Sequence, residues 1–502
     1  MNELFSYIFQ YNPKAPLIFT QPDFWIFFMM VLAGFSVLYK NIRSRNTFLF
    51  LASIFFYYKS GGICLFLLLF AIVFNYYMGI AIEQHQRKKL LLFIGVFTNL
   101  LLLGFFKYAY FITQLINEAF SLNLRAVNIF AVFANSTSGS HFDIFNIILP
   151  VGISFFTFQA ISYLVDVYYG KMGAIHSFVG FGFFKSFFPQ LVAGPIVRAI
   201  EFGPQLEKPY ALSKEEVGQA LYLIMAGLIK KMLVSDYISV NFVDRVFDQP
   251  SLYTGFENLM AVFGYAIQIY CDFSGYTDMA IGIALLFGFR LPLNFNSPYK
   301  ARNITDFWRR WHITLSSWLR DYLYIPLGGN RKGKIRTYIN LFVTMLLGGL
   351  WHGADLRFVL WGGLHGAGLA VHKIWQRYFP APKKEHWLIT IISAAFTFLF
   401  VCFTWVFFRA GSMEQVKGML NRISNDFGWS QLPAILDNYA WIFGVIMLAF
   451  AIHILPVGWK NYIRTGFIRM PAWTKLLFAL LVIIIITQVK TSVFQPFIYF
   501  QF

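Results

Sequence analysis

The chain has 502 residues, 58% of them hydrophobic and only 13% charged, with a mean hydropathy of +0.58. A soluble domain carries about 25% charged residues, so this composition excludes an ordinary soluble enzyme and points to an all-α polytopic membrane protein. The formal charge of +18 does not mark a nucleic-acid binder: the basic residues stand in short clusters between apolar runs, as cytoplasmic loops facing anionic headgroups do.

The first residues carry no basic region ahead of a short apolar stretch with a small-residue cleavage site, so the first span is expected to remain as an anchor. Apolar windows lie near 22–40, 47–58, 62–82, 90–114, 145–168 and 213–236. Others follow near 255–289, 337–353, 357–373, 387–408, 439–456 and 476–490. Several are short for a hydrocarbon core of about 30 Å, which suits tilted, half-length or re-entrant segments within about eleven or twelve crossings.

Lys40, Arg43 and Arg45 close the first window, and Arg87, Lys88 and Lys89 follow the third. Both loops read as cytoplasmic and the N-terminus as extracytoplasmic. Residues 115–144, with Arg125 as the one Lys or Arg among them, then fall outside, and the densely basic stretch 290–336 falls inside. No internal repeat or long linker interrupts the chain, which reads as one integral-membrane domain, 1–502. Cys64, Cys271 and Cys402 sit in apolar runs without a CxxC pair, so neither a disulfide framework nor a zinc site is expected.

The most unusual segment is FWRRWHITLSSWLRDYLYIPLGG, residues 307–329. Asn303 followed by Asp306 resembles a capping box, which predicts a helix start. Beyond it Trp308, Trp311, Leu315, Trp318 and Tyr322 recur at steps of three and four, forming one apolar stripe. Arg309, His312, Ser316 and Arg320 fall on a neighbouring arc of roughly 80°, and Asp306 is spaced to pair with Arg310. The segment predicts an amphipathic interfacial helix, closed by Pro326 and Gly328-Gly329, with its tryptophans at the membrane surface and His312 turned inward.

A second stretch, TMLLGGLWHGADLRFVLWGGLHG (344–366), ends an apolar run on His352, with Gly348 and Gly349 one turn before it. Small residues serve close packing of membrane helices; an ionisable side chain there is costly and is a functional candidate. Asp166, Asp272, Asp278, His365, His372 and His453 fall under the same default, with structural roles favoured for these three histidines and left open for the aspartates.

These stretches resemble the membrane-bound O-acyltransferases, in particular their bacterial alginate O-acetyltransferase branch. Supporting segments are LPVGISFFTFQAISYLVDVYYG (149–170), FFPQLVAGPIVR (187–198) and IQIYCDFSGYTDMAIGIALLFGFRLPLNFNSPY (267–299), so that 145–375 forms the characteristic core. The resemblance implies helices around a funnel or tunnel, with His352 in LWHGA as the catalytic base and His312 in RRWHITLS as a second, orienting or proton-relaying group. It implies no bound cofactor or metal, and a thioester donor, acetyl-CoA, reached from the cytoplasm. Arg302, Arg309, Arg310 and Arg320 are candidates for donor phosphates, and Trp308 and Trp311 for the tunnel mouth. The branch implies a polysaccharide acceptor outside a bacterial inner membrane, reached with separate extracytoplasmic acetyltransferase-type partner proteins. A D-alanyl transferase fed by a carrier protein and a transporter or flippase are the rival readings. The chain carries no HExxH, Walker A or HxxxxD run.

Overall fold

The structure, a computed structural model, describes residues 10–13, 16–191, 194–379 and 386–489. The extreme N-terminus and residue 490, on which the retained anchor and the end of the last window partly depend, lie outside them. Every regular element among the described residues is helical. The chain divides into two compact units, one running to Pro209 and including Gly353–Asp355, the other holding Tyr210–His352 and Leu356 onward.

The first unit contains α1 (Pro22–Leu38), α2 (Ile42–Gly61), α3 (Leu65–Gln84), α4 (Lys88–Phe120) and α5 (Ile129–Ser138). It continues with α6 (Ile153–Tyr168), α7 (Phe178–Ser186), α8 (Phe188–Leu191) and α9 (Ala199–Leu206). Helix α6 is buried along almost its whole length against α3 and α4. Its Tyr163 crosses α3 where Gly79 leaves room; a side chain at that glycine would strike the tyrosine hydroxyl. Asp166, one of the acids in or beside an apolar stretch, is held by Lys171 at 3.1 Å.

The second unit opens with α10 (Lys214–Asp248), capped by a reciprocal Ser213–Glu216 box, and α11 (Gly255–Leu286), capped likewise by Thr254 and Glu257. They approach closely through glycine: a Cβ at Gly227 would lie 2.5 Å from the Gly275 carbonyl. Helix α10 widens into π turns at Ile229–Ser235 and Ser239–Val243. The first sets Lys230 against Asp278 and Lys231 against Asp272, both at 2.5 Å, and Lys231 also reaches Asp236 at 2.7 Å. Asp272 is thus held in a buried ion pair and Asp278 in a half-buried one.

There follow α12 (Ile304–Trp308), α13 (Ile313–Leu319), α14 (Lys334–His352), α15 (Leu356–Tyr378) and α16 (Trp387–Arg409). The unit closes with α17 (Met413–Asn425), α18 (Leu432–Asn438), α19 (Ala440–Ile454), α20 (Val457–Arg469) and α21 (Ala472–Val489). Among the described residues five helical stretches are long and apolar enough to cross a membrane: Ile42–Gln84, α4, α10, α16 and α21. A sixth is added if the bent pair Trp429–Asn438 and Ala440–Ile454 is one span. That is fewer than the eleven or twelve expected. Windows 47–58 and 62–82 fall in the single stretch Ile42–Gln84, and α6 has only 16 residues. Helix α11 is continuous, but Glu257, Asp272 and Asp278 interrupt its apolar run.

Candidate active site

The histidine-bearing segment begins as its sequence suggests. Asn303 caps α12 by accepting from the Asp306 N–H at 2.8 Å, and Asp306 pairs with Arg310 at 2.8 Å. The single long helix expected beyond it does not form. The N–H groups of Arg310 and Trp311 both turn back to the Phe307 carbonyl, at 2.9 and 2.8 Å. His312 then adopts the left-handed conformation (φ 42°, ψ 55°), α13 restarts at Ile313, and a π turn follows at Arg320–Tyr324.

Periodicity conceals this break because the kink returns the chain to the same inward face. Trp308, Trp311, Leu315 and Trp318 are all buried, at 8%, 1%, 1% and 6% exposure. The tryptophans expected at the membrane surface are therefore inside the protein. Arg302, Arg309 and Arg320 are exposed and Arg310 is half-buried. Arg320 is bidentate to Asp321 at 2.6 and 3.0 Å, which raises its pKa, so this guanidinium already has a carboxylate partner.

Residues 294–296 hold the kink. The Ile313 N–H donates to the Asn294 carbonyl at 3.0 Å and the Asn296 N–H to the Arg310 carbonyl at 2.9 Å. The Asn294 side chain lies on the same turn, its Oδ1 3.1 Å from His312 Nδ1, 3.2 Å from the Thr314 N–H and 2.9 Å from the Thr314 hydroxyl. Asn294 and His312 are both 0% exposed. A left-handed residue bearing a Cβ costs about 1–2 kcal/mol, which this set of bonds offsets. Burial pushes the His312 pKa down, to about 3, so the imidazole is neutral. Sequence reasoning missed Asn294. It sits in LPLNFNSPY without charge or periodicity, and the available signal was an amide in an apolar stretch just before a proline.

His352 ends α14 at 3% exposure. A Cβ at Gly349 would collide with the Phe358 carbonyl of α15, so that glycine serves helix packing. Rings enclose His352: Trp351, Trp361 and Phe408 have centroids at 4.9, 5.1 and 5.2 Å. Trp351 also contacts His312 at 6.2 Å, and Phe273 stands edge-on to His312 at 4.7 Å. Trp311 joins through Trp405 at 5.1 Å, and Trp308 through Trp361 at 5.8 Å. Two histidines 40 positions apart therefore share one aromatic cluster.

Three other histidines brace this cluster. His365 accepts at Nδ1 from the Trp308 indole at 3.3 Å, and its Nε2 meets the Thr404 hydroxyl at 3.0 Å. That hydroxyl donates onward to the Val401 carbonyl at 2.7 Å. His372, on the same face of α15, is 2.8 Å from the Thr305 hydroxyl, and His453 accepts the Tyr299 N–H at 3.1 Å. Each of the three is thus hydrogen-bonded to a neighbouring element. Chemically, the cluster offers imidazole bases shielded from water, with positive charge arrayed on the surface of the same segment.

The family model for the membrane-bound O-acyltransferases matches residues 50–410. The chain belongs to the membrane-bound O-acyltransferase family. It is a multi-pass membrane acyltransferase. A peptidoglycan O-acetyltransferase of Helicobacter pylori is 40% identical over 453 residues, covering 81% of each chain. A probable alginate O-acetylase AlgI of Pseudomonas aeruginosa is 39% identical over 426 residues, covering 84% of this chain and 77% of its own. A teichoic acid D-alanyltransferase of Bacillus subtilis is 30% identical over 281 residues, 52% of this chain and 69% of its own. Histidines 312 and 352 both lie inside the matched family region.

Proposed function

We propose that this acyltransferase takes an acetyl group from a cytoplasmic thioester, acetyl-CoA, and passes it across a bacterial inner membrane for O-acetylation of an extracytoplasmic cell-surface polysaccharide. Separate extracytoplasmic acetyltransferase-type proteins complete delivery, and the N-terminus lies outside. The observation that carries this reading is the enclosure of His312 and His352 in one buried aromatic cluster. The relatives named for acetyl transfer support the choice of acyl group, since they match over about four fifths of this chain. Alginate and peptidoglycan both appear among those relatives' names, which supports a surface glycan as the acceptor class.

His352 acts as the base. It takes the proton from the attacking hydroxyl as that oxygen adds to the thioester carbonyl, and returns it to the thiolate as the carbon–sulfur bond breaks. His312 orients or relays within the same enclosure. A positioned base contributes typically 10²–10⁴ in rate, and the surrounding rings keep water from competing for the acyl group. Arg302, Arg309, Arg310 and Arg320 supply positive charge suited to donor phosphates, and Trp308 and Trp311 support the wall behind them.

The D-alanyl transfer reading has one specific support, the teichoic acid relative, which matches about half of this chain. One experiment separates the readings. Membrane vesicles with wild type or His352→Ala at matched protein levels are given isotope-labelled acetyl-CoA on the cytoplasmic side. Label on extracytoplasmic glycan that appears with wild type and vanishes with the variant is the expected result. Equal labelling overturns the base assignment, and no labelling with wild type favours the carrier-fed reading.

A further inference from the structure

We infer that Asn294 is the positioning residue that fixes His312 in one tautomer, with the proton on Nδ1 and the lone pair on Nε2. This rests on the reading that His312 serves acyl transfer. It also changes what His312 does there, because a ring locked in this way works through a single nitrogen.

The identity of the Asn294 oxygen comes first. An amide's oxygen and nitrogen exchange places on a flip of the side chain, so a contact from one of them to an imidazole says little by itself. Here the same atom also lies 3.2 Å from the Thr314 backbone N–H, which is only a donor. The atom facing Thr314 is therefore the acceptor, the oxygen. It cannot donate to His312 Nδ1, 3.1 Å away, so Nδ1 must carry the proton. A neutral imidazole holds one N–H, which leaves Nε2 with the lone pair.

The backbone supports the same assignment. Asn294 grips three consecutive residues: the His312 ring, the Ile313 N–H through its carbonyl, and both the N–H and hydroxyl of Thr314. These bonds span a non-glycine residue in the left-handed conformation, His312 itself. Strain of this kind persists where the surroundings over-determine it, and it collects at functional positions. A single side chain thus sets both the direction of the imidazole and the nitrogen that can take a proton. His312 accepts a proton or hydrogen bond at Nε2 and returns it from the same atom. It does not pass a proton through the ring, because Nδ1–H is committed to Asn294.

The test reads the tautomer directly. Full-length protein carrying ¹⁵N-labelled histidine is compared with His312→Gln to identify the His312 signals. Wild type is expected to show a protonated Nδ1 and an unprotonated Nε2. Asn294→Leu is expected to populate the opposite tautomer, with kcat for acetyl transfer falling at least tenfold and KM for acetyl-CoA nearly unchanged. Asn294→Asp keeps an acceptor for Thr314 and so preserves the turn. Its carboxylate stabilises the imidazolium, so His312 should protonate at higher pH than in wild type, by about one unit or more. If Asn294→Leu does not accumulate, this aspartate variant decides. An unprotonated Nδ1 in wild type, or a His312 titration unchanged by Asn294→Asp, overturns the inference. Full activity of His312→Ala would remove His312 from the reaction while leaving the tautomer result intact, so the two readings fail separately.

Discussion

His365 and His312 are both fully buried in aromatic surroundings, but they are built into the protein differently. His365 lies in mid-helix and bridges three elements: α12 through Trp308, its own α15, and α16 through Thr404. Its surroundings read as a brace. His312 lies between two short helices in a strained backbone conformation, held from one side by Asn294 and facing the ring that also contacts His352. Burial marks both histidines, so burial does not separate them. Backbone strain and shared contact with a second imidazole do.

The sharpest way to break this contrast is at His352. His352→Ala should reduce acetyl transfer per folded molecule by about 10²–10⁴, far more than the modest loss of stability from the gap left among Trp351, Trp361 and Phe408. Activity assay and melting measurement on the same preparation decide it. A comparison from elsewhere in the same unit should show the opposite. Lys231→Met leaves the buried Asp272 and the half-buried Asp236 without their shared lysine and should destabilise by about 3–5 kcal/mol. A Lys231→Met, Asp272→Leu pair should recover part of that loss, and denaturation in detergent reads both.

His365→Ala should fall between them. It leaves the Trp308 indole N–H and the Thr404 hydroxyl without this partner, a cost of about 1–3 kcal/mol, while activity per folded molecule stays within a few-fold of wild type. The smallest pair of effects lies one turn before His352. Gly349→Ala drives a methyl into the Phe358 carbonyl and should cost about 1–3 kcal/mol by overpacking. Gly348→Ala meets only the end of Leu319, at 3.2 Å, and should be close to neutral. Equal melting temperatures for these two variants would show that α14 and α15 do not pack as described.

How far the sequence disclosed this arrangement depended on the range of the interactions. The Asn303 cap and the Asp306–Arg310 pair are local, within four residues, and both formed, although the reciprocal half of the capping box goes to the Arg302 N–H instead. The two histidines stood out because ionisable side chains in apolar surroundings are costly. The inward stripe of Trp308, Trp311, Leu315 and Trp318 was also legible, but not what it faces. Three- and four-residue spacing is the same for a surface helix and for two short helices joined by a kink. The kink depends on bonds from 294–296, well upstream and as far as 20 positions away, and spacing carries no trace of them. The aspartates of α11 stayed ambiguous for a similar reason: their lysines lie on α10, more than forty positions away.

The most direct measurement compares three matched alanine variants, at His312, His352 and His365, for release of CoA thiol from acetyl-CoA in membranes that also carry the extracytoplasmic partner proteins and the glycan acceptor. Rates are normalised to folded protein. The predicted result is a loss of two orders of magnitude or more for His352→Ala, a clear loss for His312→Ala, and near-normal turnover for His365→Ala. A His352→Ala variant that turns over as fast as wild type, or a His365→Ala variant that loses as much as it, would contradict the separation of catalytic pair from structural brace.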